Sequence, residues 1–344
     1  GNNQAGMIGL DDNFFDIGGH SLLAVQLLVK LRQTFGQQLS LRTLLQNPTV
    51  AALAQTLQQG DQQASSALVA LQPAGERPPF FCLPGAGGTV LYLYALARAL
   101  GEEQPFYTFE AAGLDGKTAP YIDVDTAAAH QVAALQRQQS AGPYYLGGHS
   151  HGGWVAFAMA QQLLRAGAKI GCLVILDATA PGEARPQYDE VELLLAYAQR
   201  FTEEFGYPAT FQRAALESLT RHARLEWLKT TLEAASALPP GSTMEDIQGL
   251  FNVFQADSQS QYDPAEFIRL PIHLFLAAET DPASKEAKIA GWQRYGPVTV
   301  YHTPGTHLGM LYQPQVQTLA QHLAACLQAV HDHETSGLTQ AACA

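Results

Sequence analysis

The sequence is poor in positive charge and has no long apolar run. Its 344 residues include 19 Lys and Arg against 31 Asp and Glu, for a formal net charge of −12, without a basic cluster. This balance argues against nucleic acid as a partner. No uncharged apolar stretch reaches the roughly eighteen residues of a membrane span, so we predict none. The first residues lack the basic and apolar segments of a signal peptide, and we expect a cytoplasmic location.

Cysteine is also scarce. The four cysteines, Cys82, Cys172, Cys326 and Cys343, form no CxxC pair and show no metal-ligand spacing. Cys82 and Cys172 lie in apolar, strand-like runs, which is typical of small core residues. We therefore predict no metal site, and the composition fits a reducing compartment.

Strand-like and helix-like segments alternate through most of the chain. Strands are predicted at 80–83, 105–109, 144–147, 172–176, 272–276 and 298–302, and helices at about 90–100, 124–140, 152–166 and 314–330. This alternation predicts an α/β fold with a mostly parallel sheet covered by helices on both faces. Residues 183–265 interrupt it with helix-like sequence that carries thirteen acidic and six basic residues. An insertion of that size predicts a lid.

The N-terminal part reads as a separate small unit. Leucines and valines at helical spacing predict a helix over 21–33 with Ser21 available as its N-cap, and a second short helix follows Asn47-Pro48. A polar, unpatterned stretch then separates the two parts of the chain. The predicted domains are 1–60, a linker 61–70, a larger domain 71–335 with a lid at about 183–265, and a tail 336–344.

Ser150 is the predicted nucleophile. It lies in Gly148-His149-Ser150-His151-Gly152, directly after the strand-like Pro143–Gly147 and before the helix-like Trp154–Met159. A strand, a tight turn and a helix in that order expose a serine hydroxyl above a sheet. The alternative is a glycine-rich turn with an incidental serine.

A nucleophilic serine needs a base and an orienting carboxylate. His307, in the loop between the last predicted strand and the terminal helix, is the best base among the eleven histidines. Asp177 and Asp281 each follow a strand, and either could serve as the acid.

The oxyanion of the reaction needs preorganised N–H donors. We predict one from the backbone of His151, next to the nucleophile. We predict the other from the loop Leu83–Gly88, with Ala86 as the donor.

Two sets of motifs resemble a known pair of domains. Asp12-Asn13-Phe14-Phe15-Asp16-Ile17-Gly18-Gly19-His20-Ser21-Leu22-Leu23 resembles the signature of a peptidyl carrier protein. The resemblance implies that Ser21 accepts 4′-phosphopantetheine from a phosphopantetheinyl transferase. It also implies a small helical bundle, here expected to be truncated at its N-terminus and to lack most of its first helix.

The larger domain resembles the type I thioesterases of nonribosomal peptide synthetases, which have the α/β-hydrolase fold. The matching segments are Phe81–Gly88, Gly147–Gly153, Ile175–Pro181 and Gly305–Leu311. In that family the acid follows the strand after the nucleophile helix, which favours Asp177. The insertion 183–265 matches the position of the family's variable lid.

Together the motifs predict an enzyme that releases a peptidyl or acyl chain from a carrier protein through an acyl-O-Ser150 intermediate, by hydrolysis or macrocyclisation. Its partners would be upstream synthetase modules and a peptidyl or acyl thioester substrate. The alternatives are a stand-alone esterase or lipase and a scaffold with an inactive hydrolase fold. Lid aromatics could line the acyl chamber or pack the lid's own core; they are Tyr188, Tyr197, Phe201, Phe205, Tyr207, Phe211 and Trp227.

Overall fold

The computed structural model describes residues 8–19, 21–37, 39–59, 67–182, 187–204, 211–235, 238, 242–264 and 267–342. Within these residues one sheet has the strand order β1-β3-β2-β4-β5-β6-β7. The strands are β1 (Leu68–Gln72), β2 (Phe80–Leu83), β3 (Phe106–Phe109), β4 (Tyr144–His149), β5 (Ile170–Leu176), β6 (Ile272–Ala277) and β7 (Val298–Thr303). The pair β1 and β3 is antiparallel, and the other pairs are parallel. The predicted mostly parallel α/β sheet is confirmed.

Helices precede the sheet, connect its strands and form the insertion. They are α1 (Ser21–Phe35), α2 (Leu41–Gln46), α3 (Val50–Gln59), α4 (Tyr94–Ala99), α5 (Val124–Gln138), α6 (His151–Arg165), α7 (Glu190–Glu204), α8 (Arg213–Glu217), α9 (Arg221–Ala234), α10 (Met244–Gln259), α11 (Pro282–Gln293) and α12 (Val316–Ala342). Among the described residues, no helix is long and apolar enough to cross a membrane.

Several elements differ from the sequence prediction. Strand β1 lies partly inside the segment 61–70 that we predicted as linker, because Leu68 and Val69 pair with Phe109 and Thr108 of β3. Helix α12 runs on through most of the predicted tail 336–344. Helices α2 and α11 were not predicted. Most of the predicted linker, residues 61–66, and the first seven residues of the predicted carrier domain lie outside the described residues.

The core divides into two layers because successive side chains of a strand point to opposite faces of the sheet. Phe80 and Cys82 of β2 belong to the layer that packs against α4 and α12. Phe81 and Leu83 of the same strand belong to the layer that packs against α5 and α6. Both layers bury large side chains completely, so the sheet is a rigid platform for the loops at its carboxyl edge.

The carrier helices pack on the first of these layers. The Phe15 ring lies 4.3 Å from the Tyr94 ring of α4. Next to this contact, Arg98 Nη2 is 2.9 Å from Asp16 Oδ1. Leu44 and Leu45 of α2 are buried in the same cluster as Val69 of β1. The carrier segment thus contributes to the larger domain's core rather than standing apart from it.

The insertion has its own small core. Tyr197 of α7 lies edge-on to Phe254 of α10, with ring centroids 4.8 Å apart. Phe211 and Trp227 form a second edge-on pair at 5.3 Å. Of the lid aromatics, Tyr197, Phe211 and Trp227 therefore pack the lid itself, whereas Tyr188 is 44% exposed. The side chains of Phe201, Phe205 and Tyr207 lie outside the described residues.

The described cysteines are buried free thiols, and one grouping among them was not predicted. Cys82 and Cys172 are core residues, as expected. Cys172 of β5, His273 of β6 and Cys326 of α12 bring three ligand-type atoms within 4.8 Å of one another. The residues come from distant parts of the chain, so their spacing in the sequence carries no metal signature.

Candidate active site

Ser150 lies on a strained turn between β4 and α6. Its φ of 54° and ψ of −126° are unusual for a residue with a side chain. The turn is tight enough that a Cβ at Gly148 would overlap the Gly152 carbonyl, and one at Gly152 would overlap the Pro84 carbonyl. The flanking glycines are thus required by close backbone contact, and the turn lifts Ser150 to the carboxyl edge of the sheet.

His307 and Asp177 meet at the same edge. His307 Nδ1 is 2.7 Å from Asp177 Oδ2, and the Asp177 side chain is fully buried. With Nδ1–H donated to the carboxylate, His307 Nε2 is left to accept a proton. Asp281, the alternative acid, instead caps α11, where its carboxylate accepts from the Ser284 N–H at 2.9 Å.

A buried cation supports the Asp177 carboxylate, and no sequence motif predicts this contact. Lys288 Nζ of α11 lies 2.7 Å from Asp177 Oδ1 and 3.1 Å from the Asp177 carbonyl oxygen. Burial disfavours the ionised carboxyl, but the hydrogen bonds from His307 and Lys288 outweigh it and keep the pKa of Asp177 below its usual value. Asp177 is therefore ionised at neutral pH.

A second histidine, His149, connects the loop that contains His307 to the loop Leu83–Gly88. Its Nε2–H donates to the His307 carbonyl oxygen at 2.9 Å, so Nδ1 accepts from the Tyr92 hydroxyl at 3.1 Å. The Tyr92 oxygen in turn accepts from the Gly85 N–H at 2.6 Å. Burial, and next the neighbouring His307, hold the pKa of His149 well below its usual value, so it stays neutral. It therefore acts as a fixed connector.

The loop that contains Ala86 is held by two lid side chains. Arg200 Nη1 of α7 donates to the Ala86 carbonyl oxygen at 3.2 Å. Asp257 Oδ2 of α10 accepts from the Gly87 N–H at 2.9 Å. Both ends of the Ala86–Gly87 peptide are thus fixed from the lid, which makes the loop's shape depend on where α7 and α10 sit.

His151 begins α6 directly after Ser150, so its N–H has no acceptor within the helix. Its side chain points to the lid. Nε2 donates to Ser260 Oγ at 3.0 Å, and Nδ1 lies 3.7 Å from Asp257 Oδ1. Asp257 therefore faces both the predicted oxyanion loop and the residue that follows Ser150.

Ser21 is the first residue of α1, and its side chain lies outside the described part of the chain, as does all of His20. The turn before it is well defined. Gly18 has a φ of +104°, and Gly19 packs so closely on Phe14 that a Cβ would overlap the ring. A phosphate ester at the start of a 15-residue helix would meet N–H groups that have no acceptor within the helix. The residues before Ser21 therefore fit a phosphopantetheine attachment site.

Comparison with protein families finds two matches in the chain. Residues 78–327 match the model described as "Thioesterase domain". The chain belongs to the thioesterase domain family. Residues 3–57 match the model described as "Phosphopantetheine attachment site". The predicted thioesterase activity and the covalent 4′-phosphopantetheine cofactor are thereby confirmed.

The relatives of this thioesterase include a dimodular nonribosomal peptide synthase of Bacillus subtilis, 37% identical over 62% of the chain and 9% of that protein. The chain is 30% identical to chondramide synthase of Chondromyces crocatus over 91% of its own length and 8% of that protein. It is 41% identical to indigoidine synthase of Dickeya dadantii over 53% of the chain and 12% of that protein. The chain thus spans about a tenth of these relatives' length.

Solved structures agree with this assignment. A four-domain nonribosomal peptide synthetase in its holo form superposes with a TM-score of 0.73 and 26% identity, covering 93% of this chain and 24% of the other. The Vlm2 thioesterase domain bound with a dodecadepsipeptide gives 0.57 and 25% identity, covering 75% and 96%. The predicted α/β-hydrolase fold with a small carrier domain before it is confirmed.

Proposed function

We propose that this thioesterase releases a peptidyl or acyl chain by transferring it from a thioester on Ser21-linked phosphopantetheine to Ser150. The proposal is carried by the contact between His307 and Asp177 at the sheet edge where the strained Ser150 turn also lies. When attached, phosphopantetheine would supply a thioester-linked acyl group. The domains we assign to these roles are 1–60 for the carrier and 71–335 for the thioesterase.

The steps follow from the atoms present. Ser150 Oγ attacks the acyl carbonyl carbon while His307 Nε2 takes the hydroxyl proton, and Asp177 stabilises the imidazolium that forms. The N–H groups of Ala86 and His151 donate to the developing oxyanion. His307 then protonates the leaving thiol, and the acyl group remains as an ester on Ser150. Water or a nucleophile of the acyl chain itself completes release, with His307 again as base.

Two features support the carrier-linked reaction over a stand-alone esterase. The carrier segment shares a buried core with the thioesterase, through Phe15 and Leu44. The Arg32 guanidinium of α1 also lies 3.6 Å from Asp246 of the lid helix α10. A stand-alone esterase would not need these contacts between a carrier segment and its own core and lid. We further propose that a phosphopantetheinyl transferase modifies Ser21, and that the protein is cytoplasmic, which the free buried thiols fit.

A labelling experiment tests the assignment of the nucleophile. A fluorophosphonate should label Ser150, and Ser150→Ala should abolish both labelling and release from a soluble acyl thioester. Ser258→Ala, a serine change on lid helix α10, is the matched control and should leave both intact. Turnover of Ser150→Ala within tenfold of wild type would refute the assignment, because loss of a triad member costs about a thousandfold or more.

A further inference from the structure

A cavity opens beside the oxyanion loop, between that loop, the lid and α5. Its interior volume is about 50 Å³, which leaves room for a short segment rather than a whole acyl chain. Gly85 and His151 form the end next to the nucleophile, and a Cβ at Gly85 would lie 3.2 Å from the Cβ of Ser150. Phe109, Val155 and Val253 contribute apolar walls. The cavity therefore ends beside Ser150, at residues that contact it or follow it in the chain.

One buried polar group in the cavity lining has no partner. Gln131 of α5 is 6% exposed and lies among apolar residues of the same helix face, such as Ala128 and Leu135. Within the described part of the chain, no donor reaches its Oε1. A buried carbonyl oxygen left without a hydrogen bond destabilises a fold by about 1–3 kcal/mol, so native proteins rarely retain one. The side chain lines the same cavity that adjoins the nucleophile.

The charges of the lining residues limit which acyl groups the cavity can bind. The lining includes the carboxylates of Asp123 and Asp257 and the imidazole of His151, but no lysine or arginine among the described residues. An acidic acyl group would meet two like charges there. The apolar walls favour binding of a hydrocarbon segment. The Gln131 side-chain oxygen favours a hydrogen-bond donor at the end of that segment.

We propose that this cavity binds an apolar segment of the acyl chain that ends in a neutral O–H or N–H group, which donates to Gln131 Oε1. Gln131 would then be a specificity-determining residue of the release reaction. This inference rests on the proposed function, because it assumes that the acyl chain is carried on Ser150. It deepens that function by naming the substrate class that the site selects.

The test compares soluble acyl thioesters of increasing chain length, each made with a terminal hydroxyl, methyl or carboxylate group. Hydroxyl and methyl groups have similar size, so the pair isolates the hydrogen bond. At the length that reaches Gln131, kcat/KM should be about tenfold higher for the hydroxyl form than for the methyl form, because the methyl group leaves the buried acceptor unpaired. The carboxylate form should be the poorest substrate at that length.

Gln131→Leu should remove or reverse the preference for the hydroxyl form while Ser150 still labels with fluorophosphonate. Gln136→Leu is the matched control, since Gln136 lies on the exposed face of the same helix, and it should keep the wild-type preference. The wild-type comparison needs no variant and decides the matter even if Gln131→Leu does not fold.

The outcomes separate the two proposals. If no thioester is released and Ser150 is not labelled, the proposed function fails. If thioesters are released but hydroxyl and methyl forms agree within twofold at every length, the cavity holds only water and the inference is wrong. A preference that persists in Gln131→Leu would also contradict it.

Discussion

Replacing Lys288 by Met tests how far a buried cation supports the Asp177 carboxylate. Lys288 Nζ contacts both Oδ1 and the carbonyl oxygen of Asp177, and the two side chains are 10% and 0% exposed. Removing one partner of a buried ion pair costs about 3–5 kcal/mol. Asp177 keeps the His307 imidazole and a longer bond from the Ala277 N–H at 3.3 Å. We therefore expect the free energy of unfolding to fall by about 3 kcal/mol, at the lower end of that range.

The same change has a predicted pH dependence. The pKa of Asp177 is depressed in the folded protein, so the stabilisation by the ionised carboxylate is present above its unfolded pKa, near 4, and is lost as the pH falls through the folded pKa. Without Lys288 the folded pKa rises. The stability difference between wild type and Lys288→Met should therefore be full at pH 7 and shrink below about pH 4.

Urea unfolding followed by tryptophan fluorescence measures this difference at each pH. Lys285→Met is the matched control, because Lys285 lies one turn earlier on α11 and donates to the Ala278 carbonyl oxygen rather than to Asp177. It should be nearly neutral. A Lys288→Met protein as stable as the control at pH 7, or a difference that grows as the pH falls below 4, would refute the reasoning.

Four further substitutions probe the site. Asp177→Asn should lower kcat by about a thousandfold or more, because an amide can hold the wrong tautomer of the His307 imidazole. In the same thioesterase assay, Asp281→Asn should remain within a few-fold of wild type. Asp257→Ala should lower kcat about tenfold with KM little changed, because the Gly87 N–H loses its acceptor and the oxyanion loop is less well held; an unchanged kcat would contradict this. Tyr92→Phe should destabilise the protein by about 1–3 kcal/mol in urea, since two buried polar groups lose their shared partner, and a neutral effect would contradict that role.

Local patterns in the sequence were sufficient for the central sheet. Strands such as β4 and β5 are short apolar runs bounded by glycine, proline or aspartate, and parallel strands buried on both faces leave that signature. Strand β1 was missed because Leu68–Gln72 follows a polar stretch and pairs at the sheet edge. Its position depends on contacts with β3, which lie nearly forty residues away in the chain.

Some residues of the candidate site could be predicted from local sequence, and others could not. Ser150 and His307 sit in glycine-flanked loops next to strands, so local sequence marks them. Lys288 could not be found in this way, because it lies mid-helix among ordinary helix formers and meets Asp177 only when α11 packs on the sheet. No local pattern marks Asp257 either, because the Gly87 N–H that it contacts lies 170 positions away in the chain.

His149 is an intermediate case. It stands inside the nucleophile motif, yet the motif alone does not say that its ring lies 4.6 Å from that of His307. A fully buried histidine beside the serine of such a motif is a signal that could be used in other sequences. Its role as a connector between loops follows only from its hydrogen bonds to Tyr92 and to the His307 carbonyl.

The central claim is that an acyl group passes from Ser21-linked phosphopantetheine to Ser150 and then leaves. Intact-mass measurement of the chain, loaded with an acyl group on its phosphopantetheine, tests this directly. In the wild type the acyl mass should disappear while the free acid or cyclised product accumulates in solution. In Ser150→Ala the acyl mass should persist, and Ser21→Ala should never load. Loss of the acyl group from Ser150→Ala at the wild-type rate would contradict the account.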